Sequence, residues 1–216
     1  MTGLAPKTLA IIEAVSSLSC IKDFVLVGGT SISVQLNHRL SEDLDFCKWV
    51  PVSNAAHGIE AKTIEKELKE KFGEVKTNQL SFDQVDFYAQ GVKLTFFNEV
   101  GFNVPAFESK PLLGNINCVP LNVVSSMKMK TMFERNAFRD YYDIFVLVKE
   151  IVTFQQLIQS SISYHSKLKE QMIINRLLRW QQVDEESGFI HLNPRYPVGR
   201  KEIGEFFKSL ERQKPF

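Results

Sequence analysis

The sequence predicts an α+β chain whose sheet comes first and whose last part is helical. Three observations predict it. Short apolar runs with strand character crowd the stretch before Pro120, Pro105, Pro111 and Pro120 punctuate its end, and from Leu121 onward the apolar residues recur with helical spacing. With 216 residues and 44% apolar side chains the chain can bury one good core or two small ones, which excludes a disordered tail protein. A boundary near Pro120 divides it into 1–120 and 121–216.

Leu9, Ile12, Val15 and Leu18 share one face of a helix that opens at Pro6. Phe24-Val25-Leu26-Val27 then reads as a short buried strand, and Gly28-Gly29-Thr30 turns it into a short helix running to about Asn37. A second strand begins near Leu44. Its alternation puts Leu44 and Phe46 on one face and Asp43, Asp45 and Cys47 on the other. Between Asn54 and Phe72, Ile59, Ile64 and Leu68 among Lys and Glu predict an amphipathic helix that Gly73 stops. Phe82 to Tyr88 and Val92 to Phe97 form a hairpin across Ala89-Gln90-Gly91. The helical remainder has breaks near Tyr164, Asn193-Pro194 and Pro197. Most of the 17 Phe fall at apolar-periodic positions and belong to the core.

Charge and cysteine usage narrow the function classes. A net charge of +1 excludes a strongly basic protein that coats nucleic acid nonspecifically. No apolar run approaches the length of a membrane span, and the first residues lack the pattern of a secretory signal, so a cytoplasmic protein without membrane association is expected. Cys20, Cys47 and Cys118 lack CxxC spacing and are expected to be reduced. His57, His165 and His191 have no partner at zinc-ligand spacing.

Chemistry concentrates in two places. Asp43 and Asp45, two apart on one strand face, have Cα atoms about 7 Å apart and can together hold hard divalent cations. By itself an Asp-x-Asp is more often a solvated or ion-paired turn. The nearby Gly28-Gly29-Thr30 turn lets backbone N–H groups and the Thr30 hydroxyl approach a phosphate at a helix N-terminus, although a tight turn alone also uses glycine. Neither a Walker loop nor a dinucleotide fingerprint is present. His38 and Arg39 precede the acidic strand, either as exposed loop residues or as phosphate contacts.

Val27-Gly28-Gly29-Thr30, followed after His38-Arg39-Leu40-Ser41-Glu42 by Asp43-Leu44-Asp45-Phe46, resembles the first motif of the AbiEii/AbiGii toxin family of nucleotidyltransferases, within the DNA polymerase beta-like superfamily. Lys128-Met129-Lys130, Arg135 and Arg139-Asp140-Tyr141-Tyr142-Asp143 are similar to that family's Lys, Arg and Arg-Asp-x-x-Asp segment in order and spacing. The two blocks span Phe24 to Leu147. The resemblance implies a nucleotidyltransferase-type mixed sheet with flanking helices over 1–120, and a helical domain over 121–216 that completes a nucleotide and acceptor cleft.

It further implies Mg²⁺-dependent transfer of a nucleoside monophosphate from an NTP to an acceptor such as tRNA, by the toxin of a toxin–antitoxin or phage-defence pair with a cognate antitoxin. Asp43 and Asp45 would be metal ligands and, with Lys128 and Asp143, catalytic residues. Gly28, Gly29, Thr30, Lys128, Arg135 and Arg139 would bind the nucleotide. A third carboxylate is expected near Thr95, and a hydroxyl there cannot act as a base. Asp86 or Glu99 could supply it, and strand alternation does not choose between them. With no third acid, the chain would be a catalytically impaired nucleotide- or RNA-binding module of the same fold.

Lys128, Arg135 and Arg139 would form one stripe if Ser125 to Val148 were a single straight helix. Asn136 instead reads as a left-handed cap between two helices. Asp140 and Asp143 are either acids of the second helix's first turn or partners in the site, with Asp140 paired to Arg139 and Asp143 facing the cleft.

Overall fold

The structure is a computed structural model that describes residues 1–51, 58–100, 107–185 and 189–213. Its contacts divide the chain into two compact units, one ending at Pro120 and the other beginning at Leu121.

The first unit is built on a seven-stranded mixed sheet of order β3-β4-β5-β2-β1-β7-β6, formed by β1 (Val25–Val27), β2 (Leu44–Val50), β3 (Val75–Ser81), β4 (Gln84–Ala89), β5 (Val92–Val100), β6 (Lys110–Leu113) and β7 (Ile116–Cys118). β1 pairs antiparallel with β2 and parallel with β7, while β2 pairs parallel with β5. The hairpin β4–β5 closes through Gln90 and Gly91, at φ 51° and 75°, the two positive values that a two-residue primed turn requires.

The alternation read in the sequence sorts the two faces. Leu26, Leu44, Phe46, Val85, Phe87, Leu94 and Phe96 join Ile11, Ile12 and Val15 of helix α1 (Pro6–Ser16) and Ile64 and Leu68 of α3 (Ala61–Phe72) in one apolar core. Phe96 is its aromatic hub, stacked on Phe46 at 5.1 Å and edge-on to Phe24 at 5.3 Å and Phe87 at 5.8 Å. The opposite face carries the odd-numbered residues of β2 and β5, and with them the acids.

Several elements differ from the sequence expectation. The amphipathic helix starts at Ala61 rather than near Asn54, of which 52–57, including His57, lie outside the described residues. Gly58 is non-helical, and Ile59 donates its N–H to the Phe82 carbonyl at 3.2 Å, which pins this stretch against the sheet. Glu67 of α3 is not plain surface, because its carboxylate accepts from the Ser19 and Cys20 N–H groups at 2.8 and 3.1 Å and ties down the turn after α1. β3 had no sequence signal, since five of its seven residues are polar and most are exposed, as suits a sheet edge. Pro105 lies outside the described residues.

The second unit contains α4 (Leu121–Glu134), α5 (Phe138–Glu150), α6 (Phe154–Tyr164), α7 (Glu170–Leu178) and α8 (Arg200–Arg212). Thr153 and Gln156 form a reciprocal cap on α6. α4 and α5 are separate helices, so no continuous Lys128–Arg135–Arg139 stripe forms. Asn136 is not left-handed. Its carbonyl accepts from the Asp184 N–H at 2.9 Å and its side chain from Arg176, and these contacts, not a cap, fix the connection. Asparagine is left-handed instead at Asn37, at φ 52°, which caps α2 (Gly28–Leu36), and at Asn193, at φ 49°.

Candidate active site

β1 leads directly into α2 at Gly28, whose φ of 68° only glycine adopts without strain. Val27 lies opposite Asp45 in the β1–β2 register, so the turn falls beside the second acid. The approach is close. A Cβ on Gly28 would overlap Asp45 Oδ2 and stand 3.2 Å from its Cγ, and a Cβ on Gly29 would overlap an Arg39 guanidinium nitrogen. A Cβ at either glycine would have to displace the side chain that packs on it. Thr30 is buried, donates its hydroxyl to the Asp43 carbonyl and accepts from the Ser41 hydroxyl at 2.7 Å. That hydroxyl ties the turn to the acidic strand and is not directed at a ligand, whereas the first N–H groups of α2 have no partner within the helix.

His38 and Arg39 are buried, not exposed loop residues. Arg39 donates to the Leu40 carbonyl at 2.9 Å and fills the space over Gly29. Sequence reading left this packing role open, and the signal for it was the position of Arg39 between the glycine turn and the acids.

Asp45 lies on the polar face with the odd-numbered residues of β2 and β5, and Asp43 immediately precedes β2. Asp43 is half-buried and lies 3.6 Å from Lys93 Nζ on the neighbouring strand. Asp45 pairs in register with Thr95 of β5, and Thr95 pairs in turn with Asp86 of β4, so the three stand in one row across three strands. Asp86 is 7% exposed, and its Oδ1 is buried without a hydrogen-bond partner. Glu99 is buried too, but pairs with Trp49 four residues along β5 from Thr95, about 13 Å away at the usual strand rise.

The helical unit holds the other block. Lys128 Nζ lies 2.7 Å from Asp140 Oδ1 and 2.9 Å from Asp143 Oδ2, and all three side chains are buried. Arg135 grips Asp140 through two bonds, at 2.6 and 3.0 Å. Burial pushes the Asp140 carboxyl up, but the Lys128 and Arg135 cations outweigh it and hold it below the usual range. Asp140 thus pairs with Lys128 and Arg135 rather than with Arg139, and Asp143 is buried against Lys128.

The model of the family described as "Nucleotidyl transferase AbiEii toxin, Type IV TA system" matches residues 15–214. The chain belongs to the AbiEii family of nucleotidyltransferase toxins. It is also similar to an uncharacterized protein of Aquifex aeolicus (strain VF5), aq_aa25, at 23% identity over 219 residues, covering 99% of this chain and 98% of that one. A proposed nucleotidyltransferase from H. pylori, known from its crystal structure, superposes with a TM-score of 0.54 at 15% identity, covering 99% of this chain and all of that one, and shows the same fold.

AbiEii family membership identifies a nucleotidyltransferase fold, and enzymes of this fold generally use a divalent metal. Among the described residues no three His, Cys, Asp or Glu side chains converge as a protein cage. Magnesium does not need one, because it is commonly held by one or two carboxylates together with substrate phosphates. Asp43 and Asp45 are residues that could serve in that mode, and Asp86 Oδ1, in the same row as Asp45 but two strands away, is buried without a hydrogen-bond partner. No helix among the described residues is long and apolar enough to cross a membrane.

Proposed function

We propose that the chain transfers a nucleoside monophosphate from an NTP to an acceptor, tRNA or another, and acts as the cytoplasmic toxin of a pair whose second member is a cognate antitoxin. The observation that carries this reading is the seating of the Asp45 carboxylate against Gly28, which brings an acid and a helix N-terminus to one point on the polar face of the sheet. Gly28, Gly29 and Thr30 contribute backbone N–H groups to the donor's phosphates. Asp43 and Asp45 hold Mg²⁺. An ion held there would supply charge neutralisation for the triphosphate and the departing pyrophosphate. Lys128, Arg135 and Arg139 as phosphate contacts, and Lys128 and Asp143 as catalytic groups, belong to the proposal on the strength of the family segment alone.

The test is incubation with each labelled NTP, Mg²⁺ and total tRNA. Label transfer is expected for the native chain and lost in Asp43→Asn and in Asp45→Asn. Transfer retained by both variants would overturn the assignment. A second reading, an impaired nucleotide-binding module, is favoured by Thr95 in the row beside Asp45 and by the Lys93 cation on Asp43. Mg²⁺-dependent nucleotide binding without transfer of label would support it.

A further inference from the structure

We infer that Asp86 is the third acid of the divalent-cation site, displaced by one strand from the position that Thr95 occupies. The inference rests on the proposed nucleotidyltransferase reading and goes beyond it by naming the residue and its mode of action.

Three observations lead to it. The registers are fixed on both sides of β5: Asp45 faces Thr95 and Thr95 faces Asp86, so all three side chains leave the same face of the sheet in one line. Asp86 is 93% buried by the complement of its 7% exposure, far from the usual condition of an aspartate. Its Oδ1 is buried without a hydrogen-bond partner, and an acceptor in that position is satisfied by water held on a cation at the same face. Glu99, the other candidate, is aligned with Trp49 and stands too far along the strand to share the row.

Thr95 decides how Asp86 acts. The strand between the two acids separates their Cα atoms by about two strand spacings, or roughly 10 Å. No three acids meet at ligating distance among the described residues. Asp86 therefore works from outside the ion's direct ligands, as a fixed negative charge and as an acceptor for cation-bound water, with the Thr95 hydroxyl lying between as donor and acceptor. Its burial makes that charge effective, because little bulk water screens it.

The experiment is Mn²⁺ binding followed by electron paramagnetic resonance on the full chain without nucleotide, paired with thermal melts with and without Mg²⁺. Asp86→Asn keeps the shape of the side chain. It is expected to weaken Mn²⁺ affinity roughly 10- to 100-fold, the usual effect of removing an outer partner. It should also reduce the upward shift in melting temperature that Mg²⁺ gives the native chain. Thr95→Asp in the Asp86→Asn background is expected to restore affinity. Native-like Mn²⁺ affinity in Asp86→Asn would overturn the inference while leaving the Asp43 and Asp45 assignment intact. Failure of the native chain to bind Mn²⁺ or Mg²⁺, with or without NTP, would overturn the nucleotidyltransferase reading itself.

Discussion

Replacing Gly28 by alanine tests the contact on which the site is built. The new Cβ meets two obstacles. The φ of 68° costs an L-residue about 1–2 kcal/mol, and the overlap with Asp45 Oδ2 forces that side chain from its rotamer at about 0.5–1.5 kcal/mol. Alanine also lowers the entropy of the unfolded chain, which offsets about 0.4–1 kcal/mol. The net destabilisation is about 0.5–3 kcal/mol, accompanied by loss of divalent-cation binding because Asp45 is the group that moves. Gly73 is the control, since its φ is 77° but nothing lies within 4 Å of a Cβ there. Gly73→Ala bears the backbone strain alone. Urea unfolding followed by Trp49 fluorescence in a Trp180→Phe background, with Mn²⁺ titration of each variant, separates the two effects. If Gly28→Ala bound Mn²⁺ like Gly73→Ala and lost no more stability, the close approach of acid and turn would be refuted.

The buried ion cluster yields the remaining predictions. Lys128→Met removes the ammonium shared by Asp140 and Asp143 and is expected to destabilise the helical unit by about 3 kcal/mol, the lower end for a broken buried pair because Arg135 still holds Asp140. Adding Asp143→Asn should recover part of that loss in chemical denaturation, and no recovery would argue against the pair. Acid provides a second probe. The Asp140 carboxyl is held below its ordinary value of 3.8 in the folded state, so its contribution to stability is complete above that value and is lost as pH falls through the depressed folded value. Melts between pH 5 and pH 2 should lose less stability in Asp140→Asn than in the native chain, and equal slopes would count against the coupling.

How much of this was legible depended on whether a residue's neighbours were local. Alternation in Leu44 to Trp49 sufficed to put Leu44 and Phe46 in the core and the acids opposite, because a strand fixes side-chain direction by period alone. The glycine turn and the hairpin at Gln90-Gly91 were equally local. β3 was not legible: its polar run Lys76 to Gln79 has no buried face to leave a pattern, and only pairing with β4 makes it a strand. The choice between Asp86 and Glu99 required two registers at once, one of them a parallel pairing between strands distant in sequence. Asn136 misled because asparagine is a common cap, and the contacts that hold it come from Arg176 and Asp184, beyond any local window.

The Lys128, Arg135, Asp140 and Asp143 quartet sums to zero formal charge, with three of its four members sealed from solvent. Drift at any single one of the sealed positions strands an opposite ion in a medium that will not hydrate it. Descendants of this chain should thus change those three positions in concert or not at all. A spelling shared among relatives here would record a constraint of folding, even in lineages where catalysis has lapsed.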